Sequence, residues 1–86
     1  LDANVHNVRF IMNINADVAE FIPQEGAKVT RKEVKDLKLP DGMTIGGLVR
    51  NGNGMLVSGN SRIEAGDTVM VFCYNVDMKK IENLFN

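Results

Sequence analysis

The chain has 86 residues, of which 44% are hydrophobic and 24% charged, and a formal net charge of −1. That is one domain's worth of ordinary globular composition, which argues against disorder. Its ten basic residues are scattered from Arg9 to Lys80, so the phosphate-neutralising stripe a nucleic-acid binder needs is not visible.

A chain this short buries only about 60–65% of the surface its unfolded form exposes, so its own core leaves a thin stability margin. Pairing with a second subunit is expected for that reason. Cys73 has no partner within the chain. With no disulfide framework and no signal peptide, the composition reads as that of a domain kept in a reducing cytoplasm. The longest apolar run, Val69 to Tyr74, has six residues, far short of the ~20 that a spanning helix requires. Leu1 stands where a methionine would begin a whole protein. Residues 1–14 are therefore expected to be a linker or short helix leading from a preceding domain, and residues 15–86 the domain proper.

In chain order, Val5, Val8, Ile11 and Met12 suit a short helix about as well as a lead-in strand. Loose alternation from Asn13 to Ile22, closed by Pro23 and Gly26, predicts a first strand. Thr30 and Glu33 have the spacing of a capping box, and Val29 and Val34 that of a hydrophobic staple, which predicts a helix from Arg31 to Lys38 ended by Pro40. Leu39-Pro40-Asp41-Gly42 is a turn. The next strand, Met43 to Arg50, has Met43, Ile45, Gly47 and Val49 on one face and Thr44, Gly46, Leu48 and Arg50 on the other. Asn51-Gly52-Asn53-Gly54 is a hairpin signal, with Met55 to Val57 as the return strand. Ser58 to Gly66 forms a crossing loop anchored by Ile63, and Asp67 to Tyr74 is apolar on both faces, the pattern of a strand covered on two sides. Asn75 is placed to cap a last helix with Met78, Ile81, Leu84 and Phe85 on one side. The expected fold is α+β: a four-stranded, mostly antiparallel sheet with two helices on one face, in the order βαβββα.

The chemistry is sparse. His6 is far in sequence from Cys73, and Cys73 on an apolar strand reads as an inert buried thiol. One cysteine and one histidine cannot build a zinc site, so neither a catalytic residue nor a metal ligand is assigned. Glu64 with Asp67 reads as a pair of solvated turn residues, and Asp17 with Glu20 as the polar face of a strand. Gly46 and Gly47 are the local oddity, because two glycines weaken a strand unless a ligand, a bulge or another backbone approaches closely. Arg50 follows at the strand end, where it could pair with an anion. Ile45, Gly46, Gly47 and Arg50 are thus the expected ligand-binding set.

An ordered set of residues then points to a family. The run Leu39-Pro-Asp-Gly-Met-Thr-Ile-Gly-Gly-Leu-Val-Arg-Asn-Gly52, followed by Leu56-Val57 and by Ile63-Glu-Ala-Gly-Asp-Thr-Val-Met-Val-Phe72, resembles the TrkA C-terminal domain, also called the RCK C-terminal domain. Ala19-Glu-Phe-Ile22, Gly26 and Asp36-Leu37 match earlier in the same order, so the resemblance covers about residues 16–86. It implies a cytoplasmic, non-enzymatic regulatory domain of a Trk-type potassium uptake protein or related cation transporter, following a Rossmann-type domain and peripherally associated with the inner membrane through a membrane-embedded transporter subunit. It also implies a homodimer, in some members with a cleft for a small nucleotide or an ion. No cofactor is implied in this domain; NAD or ATP would belong to the preceding Rossmann-type domain. The contrasting reading is a small β-rich nucleic-acid-binding module, for which Gly66-Asp67-x-Val69-x-Val71 is a compatible turn and strand, and against which the acidic balance weighs.

Overall fold

The computed structural model describes residues 5–9 and 16–86. Five strands form one sheet: β1 (Val5–Arg9), β2 (Ala16–Phe21), β3 (Met43–Arg50), β4 (Asn53–Leu56) and β5 (Thr68–Tyr74). Their spatial order is β1-β2-β5-β3-β4, and every neighbouring pair is antiparallel. One α-helix, α1 (Met78–Phe85), completes the fold. The sheet is thus the expected antiparallel one, extended by β1, which settles Val5–Arg9 as strand. The start of the first predicted strand, from Asn13, lies outside the described residues.

β5, the most continuously apolar strand, takes the central place in the sheet. Val69, Val71 and Cys73 point into the core, while Met70, Phe72 and Tyr74 point the other way. β2 and β3 flank it and run parallel to one another, so the chain between them crosses the core face of the sheet. Val29, Ile63, Ile81 and Phe85 from the crossing segments are fully buried there, and Phe85 stacks on Phe21 of β2 with ring centroids 4.8 Å apart. Each such side chain contributes roughly 1.5–3 kcal/mol by burial, which makes this single layer the main source of stability.

The predicted helix from Arg31 to Lys38 is not formed. In its place are two 3-10 turns, Lys28–Thr30 and Val34–Asp36. Thr30 Oγ1 donates to the Ala27 carbonyl at 2.7 Å instead of capping Glu33. Glu33 is extended, with ψ 153°, and forms an isolated bridge with Arg62. The Val34 and Lys35 amides bond to the carbonyls of Ser61 and Gly59, both at 2.9 Å. A short helix gains little by itself, so loop 58–62 competes successfully for the same amides. Among the described residues, one α-helix, not two, therefore covers the sheet. That helix is capped by Asp77, whose side chain accepts from the Lys79 amide at 3.0 Å; Asn75 instead takes a left-handed turn with φ 54°.

The hairpin is tighter than expected. Arg50 pairs directly with Asn53, leaving only Asn51 and Gly52 as its loop, at φ 52° and 78°. Positive φ at both positions matches the right-handed twist of the flanking strands, and it explains the Asn-Gly choice. The return strand is accordingly Asn53–Leu56 rather than Met55 to Val57.

Candidate functional site

The alternation predicted along β3 breaks at Gly46. Ile45 faces Val71 of β5 and Gly47 faces Met70, so Gly46 is the extra residue of a β-bulge. Beyond it the faces exchange. Met43, Ile45 and Leu48 are all buried in the core, whereas Val49 lies exposed on the opposite side. A Cβ on Gly46 would stand 2.5 Å from Phe72 Cε2, and one on Gly47 would stand 2.9 Å from the Met55 carbonyl oxygen. The two glycines thus accommodate a bulge, a ring and a neighbouring backbone.

The bulge also turns Arg50 toward Asp67, and this builds the most ordered polar cluster among the described residues. Arg50 Nε and one terminal nitrogen donate to the two Asp67 carboxylate oxygens, each at 2.8 Å. The same terminal nitrogen reaches the Arg62 carbonyl at 3.0 Å, and the other lies 3.1 Å from Glu64 Oε2. Asp67, 2% exposed, also accepts from the Glu64 amide at 2.8 Å. Burial pushes the Asp67 carboxyl up, but the Arg50 hydrogen bonds, the Glu64 amide and the Arg50 charge outweigh it, and the group titrates below its ordinary value. The same contact raises Arg50 above its own. Asp67 is therefore not a solvated turn residue but the buried half of a clasp tying the β3–β4 hairpin to the loop before β5. Asp17 and Glu20 do not share a polar face either: they pair with Cys73 and Met70, which point to opposite sides of β5.

The side of the sheet away from α1 is left open. Val49 of β3, Leu56 of β4 and Met70, Phe72 and Tyr74 of β5 are each at least 40% exposed, Leu56 reaching 92%. β5 is thus covered on one side only, and its second apolar face faces outward. Across this face runs a groove of about 350 Å³ whose walls include Glu20, Gly47, Val49, Leu56, Thr68 and Met70. Of the ligand-binding set read from the sequence, only Gly47 lines it. Ile45 points into the core, Gly46 lies beneath Phe72, and the Arg50 nitrogens are engaged by Asp67, Glu64 and Arg62. Glu20, Leu56 and Met70 line it without having been singled out in the sequence, although Met70 was visible as one of the β5 residues opposite the core set.

The folded chain also gathers charge that looked scattered in the sequence. Lys28, Arg31, Lys32 and Lys38 line a second groove of about 360 Å³ beside Leu37 and Leu84. Cys73 is buried, and burial first, then the Asp17 charge, pushes its thiol above the ordinary value. No group of three His, Cys, Asp or Glu side chains is placed to hold a metal among the described residues. Among the described residues, no helix is long and apolar enough to cross a membrane.

An antiparallel sheet covered by helix on one side and exposing apolar side chains on the other, with the one buried carboxylate among the described residues held by Arg50, defines a small α+β domain. Residues 18–86 match the TrkA-C domain family, and the chain belongs to it. It is similar to the Trk system potassium uptake protein TrkA of Azorhizobium caulinodans, with 31% identity over 81 residues, covering 94% of this chain and 18% of that protein. It is also similar to a Trk system potassium uptake protein TrkA homolog of Archaeoglobus fulgidus, with 29% identity over 69 residues, 80% of this chain and 16% of that protein. The chain spans less than a fifth of the length of either.

Proposed function

We propose that this chain is the regulatory domain of a Trk-type potassium uptake protein, acting on the cytoplasmic side as a homodimer behind a Rossmann-type domain. In this reading it has no reaction of its own. Two copies would present their open faces together, and a small ligand seated in the groove over Gly47, Met70 and Leu56 would favour one arrangement of the pair. Because a ligand shifts an equilibrium only by its difference in affinity for the two states, coupling to the transporter requires that the groove differ between them.

The observation that carries the reading is the contiguous exposure of Val49, Leu56, Met70, Phe72 and Tyr74 on one sheet face. Large exposed apolar patches mark interaction sites. Membership of the TrkA-C family and the names of the two relatives support the potassium-uptake setting.

The test uses Phe72→Asp, which adds a charge on the open face without touching the core. Placed in the parent potassium uptake protein, it should abolish regulation of rubidium uptake while the isolated chain keeps its far-UV spectrum. Regulation equal to wild type would overturn the proposal. A thermal-shift screen against nucleotides and mono- and divalent cations then identifies the ligand, since a species that binds only the folded state adds about 2.7 kcal/mol at a hundredfold excess over its Kd.

A further inference from the structure

We infer that the basic groove beside the C-terminal end of α1 docks an acidic, extended polypeptide segment. Its carboxylates meet the cations of the groove, and one apolar side chain between them seats on Leu37 and Leu84. The site lies on the helix-covered side of the sheet, so it rests neither on the pairing nor on the ligand groove proposed above.

The segment before β3 builds this groove because it is not helical. In a helix from Arg31 to Lys38, Arg31, Lys35 and Lys38 would share one side and Lys32 would face another way. The two 3-10 turns instead set Lys28, Arg31, Lys32 and Lys38 along one groove of about 360 Å³, while Lys35 stands beside Gly59 and pairs with Glu33 at 3.3 Å. The walls are held in place. Val29 is fully buried, the Val34 and Lys35 amides are bonded to loop carbonyls at 2.9 Å, and the Gln24 amide bonds to the Phe85 carbonyl of α1 at 2.8 Å. The groove is therefore preformed, and an occupant need not order it.

Four of the ten basic residues thus share one concave site in a chain whose net charge is −1. Among the described residues none of the four is in an ion pair, whereas Lys35 and Arg50 are. Arg31 is also oriented. Its Nε donates to the Gly26 carbonyl at 3.0 Å, and its two terminal nitrogens have no hydrogen-bond partner among the described residues, which leaves both to donate side by side to a carboxylate.

The rest of the lining selects among anions. Asp36 stands in the same groove, where it would repel a phosphate. A polypeptide brings main-chain N–H donors for Asp36 together with side-chain carboxylates for the cations. No aromatic ring lines the groove among the described residues, so a nucleic-acid base has nothing to stack on. Leu37 and Leu84 are half-buried and packed against the core, set back from a flat lipid surface but open to one inserted apolar side chain.

The experiment is fluorescence anisotropy of the 86-residue chain with the peptide Glu-Glu-Leu-Glu-Leu-Glu carrying an uncharged dye. Saturable binding is expected, and Arg31→Glu combined with Lys32→Glu should weaken it about tenfold or more. Lys79→Glu combined with Lys80→Glu makes the same charge change at exposed positions of α1 and should leave the affinity within about twofold, at an unchanged melting temperature for both double variants. Serine in place of both peptide leucines should weaken binding about fivefold or more. Raising salt from about 0.1 M to about 1 M, which shortens the screening length from about 10 Å to about 3 Å, should weaken it about tenfold or more. Equal losses in the two double variants would reduce the effect to net charge and overturn the site, as would no saturable binding at about 1 mM peptide. Displacement of the dye-labelled peptide by inorganic phosphate, a thymidine oligonucleotide or phosphatidylglycerol vesicles at lower concentration than by unlabelled peptide would overturn the polypeptide assignment.

Discussion

Replacing Asp67 by Asn retains the shape of the side chain and removes its charge. In the wild type the carboxylate accepts three bonds of 2.8 Å, two from the Arg50 guanidinium and one from the Glu64 amide. The two from Arg50 are charge-assisted on both sides and worth about 1.5–3 kcal/mol each, against about 0.5–1.5 for neutral ones. The new amide also presents an N–H₂ group to donors, so one of the three bonds is lost outright. The expected loss is about 2–4 kcal/mol, and at about 4–8 °C per kcal/mol for a domain of this size the melting temperature should fall by roughly 8–32 °C. Urea denaturation followed by circular dichroism at neutral pH measures it. The acid limb supplies an independent check. Since the folded carboxyl titrates below its ordinary 3.8, its stabilisation is complete above that value and is lost as pH falls through the folded one, so the gap between Asp67→Asn and wild type should narrow in acid. A variant within about 0.5 kcal/mol of wild type at neutral pH, the scatter typical of inert surface changes, would refute the clasp.

Other outcomes follow from the same coordinates. Gly46→Ala forces the Phe72 ring aside and should cost about 1–3 kcal/mol in urea denaturation, recovered in part when Phe72 is also changed to Leu. Phe85→Ala removes a fully buried ring from the Phe21 stack and should cost about 3–5 kcal/mol, enough to leave much of the chain unfolded at physiological temperature. Gly52→Ala, at φ 78°, should cost about 1–2 kcal/mol by forcing an L-residue into a left-handed turn. Cys73 should be nearly silent toward a thiol reagent in the native state and react fully in urea, because burial withholds both access and the thiolate form.

Much of the fold was legible. β3 was legible from the extended run after the Pro40-Asp41-Gly42 turn, β5 from its continuous apolar run, the hairpin from Asn51-Gly52, and α1 from Met78, Ile81, Leu84 and Phe85 on one side. The candidate site was far less so. Gly46 and Gly47 read as the mark of a ligand, a bulge or a close backbone, and the structure holds the second and third: a bulge beneath Phe72 and the Met55 carbonyl; Arg50 read as able to pair with an anion, and the anion it meets is Asp67. What the face assignment along β3 did not include is that one inserted residue exchanges every later side chain between faces.

What the sequence by itself determined is therefore what short-range physics controls: the turns, the extent of the long strands, the amphipathic last helix, and the ordered motif that places the chain in the TrkA-C family. What only the tertiary structure decided is the competition between distant segments. The Val34 and Lys35 amides bond to Ser61 and Gly59 rather than to a helical turn of their own, and the Asp67 carboxylate is buried because Arg50 arrives from seventeen residues away to hold it. The same is true of β5, whose two apolar faces read alike in the chain. One packs on Ile81 and Phe85, the other faces outward, and the distinction arises only because, among the described residues, one helix and two 3-10 turns cover one side of the sheet.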